Sequence, residues 1–257
     1  MRLTMQSKGV LFLILAFSFC SGCQSPNRAE QSEPVQQTSV ERAAKHAEID
    51  KIDSLSPIEK SMLKADMVDV RLLNPSIQVF LRYAGDSNFL NKNIYGHLST
   101  AYLADECAKK LALAQTLLRK SKPDLSLLVW DAARPVSCQQ LMWDAVDFPV
   151  EERTKYVSNP KNHSLHNYGC AVDVTITDTL GNELDMGTEF DDFDTLAQPA
   201  YEWKCLQSGA LSEHQLNNRK LLRSTMLRAG FRQLPSEWWH YNCCSREYAK
   251  QNFEVVE

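Results

Sequence analysis

The chain has 257 residues, of which 44% are apolar and 23% charged, with a formal net charge of −4. That length and apolar share allow one full hydrophobic core and leave little room for two equal domains. The acidic balance argues against a polyanion-binding surface, so no nucleic-acid partner is expected.

The first residues read as an export signal. Arg2 and Lys8 precede the apolar run Val10 to Phe17, which is too short to span a bilayer comfortably. Ser21-Gly22-Cys23 follows. Small residues ahead of a cysteine are similar to the bacterial lipoprotein box, in which that cysteine is lipidated and becomes the new N-terminus. Cys20 stands where the box usually carries Leu. The expectation is a lipoprotein-type signal over 1–22, a lipid anchor at Cys23, and a place in the cell envelope facing the periplasm or the exterior. Residues 23–56 are rich in Gln, Ser, Glu and Ala and read as a flexible tether, with at most a short helix over Ala43–Ile49.

The folded domain is expected over 57–257. Ile58, Met62 and Leu63 have helical spacing, and Ile77–Tyr83 alternates like a strand. Ala101–Lys120 carries Leu103, Cys107, Leu111, Ala114, Leu117 and Leu118 at helical spacing, a long amphipathic helix. Leu125–Trp130 reads as a buried strand, Val136–Val146 as a helix, Ala171–Ile176 as a strand and His214–Ala229 as a helix. Phe231–Leu234 and Trp238–Asn242 read as closing strands. Close-set strands among helices favour an α+β single domain, with a central, mostly antiparallel sheet flanked by helices. Cys107, Cys138, Cys170, Cys205, Cys243 and Cys244 lie in this domain. Outside the cytoplasm they permit disulfides, whose pairing the sequence does not choose. No paired CxxC pattern points to a cysteine-built zinc site.

Three segments concentrate ligating and catalytic residue types. In Ser164-Leu165-His166-Asn167-Tyr168-Gly169-Cys170-Ala171-Val172-Asp173, a histidine precedes a strand and a carboxylate sits inside it, where it would cost several kcal/mol unpaired. Glu237-Trp238-Trp239-His240 flanks two large aromatics with a carboxylate and an imidazole. On a regular strand those two would face opposite sides, so joint function requires a bend or bulge. Asp131-Ala132-Ala133-Arg134-Pro135 puts a guanidinium at a strand end. Each segment alone also fits a structural reading, including an Arg134–Asp131 pair that closes the turn. Together they offer two histidines and one aspartate, leaving one position of a tetrahedral zinc open to water, with Glu237 as a proton acceptor and Arg134 for the oxyanion.

At these residues the chain resembles the zinc D-alanyl-D-alanine dipeptidases of the vancomycin-resistance type, within the zinc D,D-peptidase superfamily. The matching motifs are SxHxxGxAxD, ExxH and D-x-x-R-P. Tyr83-Ala84, Asn88-Phe89, Tyr95-Gly96, the stretch Asp185 to Asp191 and the segment from Asn218 to Arg232 extend the likeness over roughly residues 65–245. The resemblance implies one zinc ion on His166, Asp173 and His240, with Glu237 as general base and acid and Arg134 as transition-state stabiliser. It places Ser164 and Asp191 in the substrate pocket. The implied substrate is a small D,D-dipeptide or a peptidoglycan-derived peptide; no protein partner is inferred. A D,D- or L,D-carboxypeptidase, and a non-catalytic cell-wall-binding lipoprotein, are the rival expectations. The chain departs from the family pattern at Ala133, Cys170, Cys243 and Cys244. His163 lacks the motif spacing and reads as a neighbour, while His46, His97 and His214 read as surface or capping residues.

Overall fold

A computed structural model describes residues 54–257. The expected signal, the lipid anchor at Cys23, almost all of the tether, the short helix over Ala43–Ile49 and His46 lie outside the described residues.

Helix α1 (Pro57–Lys64) starts where Ser56 and Glu59 form a reciprocal capping box with Pro57 in the first turn. Strand β1 (Met67–Asp69) runs into the short helix α2 (Val70–Leu73). It pairs antiparallel with β3 (Tyr102–Ala104) in a two-stranded sheet. Helix α3 (Asp105–Ser121) buries Cys107, Ala108, Leu111, Ala114 and Leu118 along one stripe. It begins later than its periodicity predicts, because Tyr102–Ala104 are held extended by β1.

The central sheet joins β2 (Gln78–Val79), β4 (Ser126–Asp131), β5 (Ala171–Thr177), β7 (His240–Asn242) and β6 (Arg232–Gln233), in that order. Only β2–β4 is parallel; the other pairings are antiparallel. The mostly antiparallel α+β expectation therefore holds. β5 is buried along its whole length, with Val172, Val174 and Ile176 alternating with Asp173, Thr175 and Thr177. Helix α3 packs on β4 and on α7 (Glu213–Arg228). Helices α4 (Val136–Ala145), α5 (Val150–Arg153), α6 (Glu202–Ser208) and α8 (Arg246–Asn252) complete the described residues. No helix among them is long and apolar enough to cross a membrane.

Three strands are shorter than their patterns predict. Phe231–Leu234 keeps only Arg232–Gln233 in the ladder. The run Ile77–Tyr83 keeps only Gln78–Val79 in the ladder and then tightens into a 3-10 turn at Arg82–Ala84. There the Arg82 guanidinium binds Glu183 at 2.7 Å and lies over the Trp130 ring. The segment Trp238–Asn242 bends at Trp238 and Trp239 before β7 begins.

Candidate active site

Three neighbouring strands each bring one ionisable residue to the same level of the sheet. Asp173 of β5 lies opposite Asp131 of β4 on one side and His240 of β7 on the other. A bulge between Val129 and Asp131 sets this register, moving Asp131 into line with Asp173. Carboxylates directly opposite one another repel. Arg134, just past the end of β4, relieves the clash. Its Nε donates to Asp131 Oδ2 at 2.9 Å, a second N–H reaches the same oxygen, and the guanidinium lies 3.8 Å from Asp173 Oδ2. A further N–H donates to Gln139 Oε1 at 2.9 Å, and the ring of Tyr83 lies beneath the guanidinium. The other oxygen of Asp131 accepts from Tyr95 Oη at 2.7 Å and from the Ala132 N–H at 2.9 Å. Burial works against the arginine cation, but Asp131 and its neighbours outweigh that and hold it charged.

His166 stands in a 3-10 turn over Leu165–Tyr168, capped by Ser164, whose Oγ accepts the His166 N–H at 3.3 Å. The turn ends at Gly169 with φ +61°, and a Cβ there would sit 2.7 Å from the Ala104 backbone nitrogen. Only glycine lets the turn close against β3 in this conformation. The Arg134 N–H donates to the His166 carbonyl at 3.0 Å, which ties the arginine loop to the histidine turn.

The second nitrogen of each histidine is engaged outside the cluster. His166 Nδ1 lies 2.6 Å from the Ala132 carbonyl oxygen, which only accepts, so this nitrogen carries the proton. Its Nε2 then turns a lone pair inward, 3.2 Å from His240 Nδ1 and 3.5 Å from Asp173 Oδ2. His240 Nε2 lies 2.8 Å from Asn242 Oδ1, which leaves Nδ1 facing Asp173 Oδ1 at 2.9 Å. The three inward donors lie within 4.8 Å of one another, and among the described residues they are the one group suited to holding a metal ion. Two imidazole lone pairs and a carboxylate converging in a buried site are a fitting donor set for a borderline cation such as zinc, with outer hydrogen bonds fixing both rings. Burial alone would raise the Asp173 carboxyl, but the two imidazoles prevail and hold it far below the usual carboxylate range. Burial would lower His240, yet with no cation bound the Asp173 carboxylate lifts it to about 9, and a metal ion would have to displace that proton to bind Nδ1.

Glu237 sits before the bend, its Oε2 3.8 Å from His240 Nδ1, with 27% of the side chain exposed to the cleft. The bend turns Trp238 and Trp239 to nearly perpendicular planes, with both rings buried. Trp238 Nε1 donates to Thr188 Oγ1 at 2.8 Å, and the Trp238 N–H to the Ala197 carbonyl. This departure from strand geometry is what lets Glu237 and His240 face one cleft. Burial, helped by the Asp173 charge, pushes the Glu237 carboxyl above its ordinary value against the pull of His240.

The cleft, about 140 Å³, is lined by Arg134, Ser164, His166, Asp173, Asp191, Glu237 and His240 together, with Tyr83, Phe89, Tyr156, Phe193 and Trp239 among its walls. Asp191 belongs to an acidic stretch that sequence alone reads as solvated surface. Here it takes φ +60° and turns inward, a left-handed conformation that aspartate tolerates better than most residues. Both its oxygens accept from Tyr83 Oη at 3.0 Å, and one from the Phe89 N–H at 3.2 Å. Burial raises its carboxyl to about 8.

Sequence reasoning missed Asn242, Gln139 and Tyr83 as members of this site, and saw Asp131 only as a turn partner. Asn242, two residues beyond His240, was the most findable; nothing local marks Tyr83 as the partner of a residue more than a hundred positions away. His163 bonds Tyr168 Oη through Nδ1 at 3.2 Å and stands apart from the donor cluster. His97 and His214 are exposed.

A family model described as D-ala-D-ala dipeptidase matches residues 63–257. The chain belongs to that dipeptidase family. Among its relatives, the D-alanyl-D-alanine dipeptidase of Escherichia coli (strain K12) is 31% identical over 176 residues, covering 68% of this chain and 83% of the relative. That of Enterococcus faecium is 30% identical, covering 67% of this chain and 89% of its own. That of Synechocystis sp. (strain ATCC 27184 / PCC 6803 / Kazusa) is 29% identical, covering 66% and 75%. Dipeptidase family membership makes the chain a peptidase by descent, in agreement with the resemblance that its motifs carry.

Proposed function

We propose that this chain hydrolyses the dipeptide D-alanyl-D-alanine to free D-alanine in the turnover of cell-wall material, with one zinc ion bound per chain. His166 Nε2, a carboxylate oxygen of Asp173 and His240 Nδ1 would hold the ion. Bound there, zinc supplies Lewis-acid polarisation of the scissile carbonyl and acidifies the attacking water. Glu237 takes a proton as the water oxygen bonds to the carbonyl carbon, and returns it to the leaving nitrogen as the C–N bond breaks. Its raised carboxyl suits both transfers. Arg134, already charged and clamped by Asp131 and Gln139, faces the developing oxyanion without needing to reorganise. Asp191 receives the substrate ammonium, whose arrival stabilises a carboxylate that burial otherwise disfavours, and Ser164 contributes to the pocket near His166.

The observation that supports this reading most is the meeting of a three-donor cluster, a raised carboxyl and a buried guanidinium in one cleft, in a chain of this family. A carboxypeptidase acting on longer stem peptides is the second reading. Against it stand the Phe89–Phe193 and Tyr156–Phe193 ring contacts at 5.4 and 5.2 Å, which close the cleft around the region of Asp191. The test is metal analysis of the purified protein, followed by incubation with D-alanyl-D-alanine and with a stem pentapeptide. Bound zinc with D-alanine release from the dipeptide alone supports the proposal. Trimming of the pentapeptide moves the chain to the second reading, and metal-free, inactive protein points to a non-catalytic wall-binding role. We further propose export and anchoring through a lipid on Cys23. Recovery of a soluble protein with an unmodified N-terminus would end that part of the reading.

A further inference from the structure

Four of the cysteines meet at one end of the sheet, away from any role in the peptidase site. Cys170 immediately precedes β5, and Cys243 and Cys244 immediately follow β7. The Cys243 N–H donates to the Cys170 carbonyl at 2.8 Å, continuing the register that pairs Ala171 with Asn242. Cys107 reaches the same place from the buried stripe of α3. The thiols fall into two interacting pairs, Cys107 with Cys243 and Cys170 with Cys244, and Cys170 Sγ also donates to the Tyr168 carbonyl at 3.4 Å. All are free thiols, and of the four only Cys244 is not fully buried. Cys138 and Cys205 lie elsewhere, the first bonded to the Ile94 carbonyl and the second in α6.

We propose that this cluster is a site of oxidation, forming two disulfides, Cys107–Cys243 and Cys170–Cys244, which fasten the end of β7 to α3 and to the start of β5. Cys243 and Cys244 lie in the bend between β7 and α8, where the chain leaves strand geometry, and each serves a different partner. In each pair two S–H bonds break and one S–S bond forms. The two electrons and two protons pass to an external disulfide, which is reduced to two thiols by exchange through a mixed disulfide. Lys110, one turn along α3 from Cys107, donates to the Cys243 carbonyl at 2.8 Å. The hydrogen bond from Cys107 and the nearby ammonium together outweigh burial and bring the Cys243 thiol down to about 7, favouring the attacking thiolate. Cys244 gives the oxidant its point of entry for the second pair.

The test is to unfold and reduce the full chain, refold it in a glutathione redox buffer, alkylate remaining thiols, and map unreduced peptides by mass spectrometry. Before alkylation the expected product is lighter than the reduced chain by four hydrogens; after it, the two named crosslinks remain and the alkyl label sits on Cys20, Cys23, Cys138 and Cys205. Crosslinks with any other pairing, or labelling of all four clustered cysteines, would overturn the proposal. So would retention of a soft metal ion by the cluster with its thiols unoxidised. The oxidised chain should melt on the order of 5–10 °C above the reduced one. Cys107→Ala and Cys244→Ala should each narrow the gap between the oxidised and reduced melting points, compared within the same variant so that any loss of packing cancels. If either variant fails to fold, the wild-type crosslink map still decides the matter.

Discussion

The two halves of the cleft are built on different principles. The donor half stands on paired strands, where Asp131, Asp173 and His240 share one level of the sheet and each polar atom has a partner. The half proposed to receive substrate hangs on loops. Asp191 sits in a left-handed backbone conformation with a carboxyl pushed up to about 8, between aromatic rings carried by separate segments. Position in the first half is over-determined, whereas in the second it is held at some cost to stability. Substitutions should therefore be felt as lost chemistry on one side and as altered selectivity or stability on the other.

The largest expected effect is on the donor side. His240→Ala removes one of three donors and should abolish both zinc retention and D-alanine release, measured on the same preparation. Full zinc occupancy in that variant would mean the donor set is wrong. Glu237→Gln should leave zinc in place while turnover falls by at least about 10²-fold, since a positioned proton-transfer group contributes about that much. Zinc-depleted protein whose activity returns with added metal would instead make Glu237 a support for the ligands.

On the loop side, Asp191→Asn should raise KM by about tenfold or more with a smaller change in kcat, as expected for lost substrate binding. The same variant should stabilise the fold at alkaline pH. A raised folded-state pKa means the folded chain holds this proton more tightly than the unfolded chain, so wild-type stability declines as pH climbs from the usual aspartate value of 3.8 to about 8. The melting-temperature advantage of Asp191→Asn should therefore be absent near pH 4 and largest above pH 8. An advantage independent of pH would point to backbone relief alone. The smallest effect is expected at Tyr156→Ala, with dipeptide turnover changed only a few-fold. Opening the Tyr156–Phe193 contact should also admit cleavage of a tripeptide, and unchanged length selectivity would remove the aromatic wall from the argument.

The same division explains what the sequence disclosed. His166, Asp173, Glu237, His240 and Arg134 were visible because a sheet site compresses into short motifs beside strands. The bend at Trp238–Trp239 could be anticipated because i and i+3 cannot share a face of a regular strand. The bulge that aligns Asp131 with Asp173 was invisible, since it depends on pairing between strands separated by about forty residues. Asp191 was harder still: an acidic run looks solvated until Tyr83 and Phe89, from the other end of the domain, supply its hydrogen bonds. Ile77–Tyr83 looked like a longer strand because alternation records burial, while ladder length is decided by the neighbour, and Arg82 leaves β4 for Glu183.

The row across β4, β5 and β7 also ties function to the order of assembly. Slipping β5 by one residue would bring Val172 or Val174 into the place of Asp173 and send the carboxylate to the opposite face. No misaligned sheet can gather two imidazoles and that carboxylate at one point. A cation present during folding would thus favour a single alignment, acting as a template that proofreads strand pairing before it serves any substrate, and refolding yield should rise with zinc in the buffer.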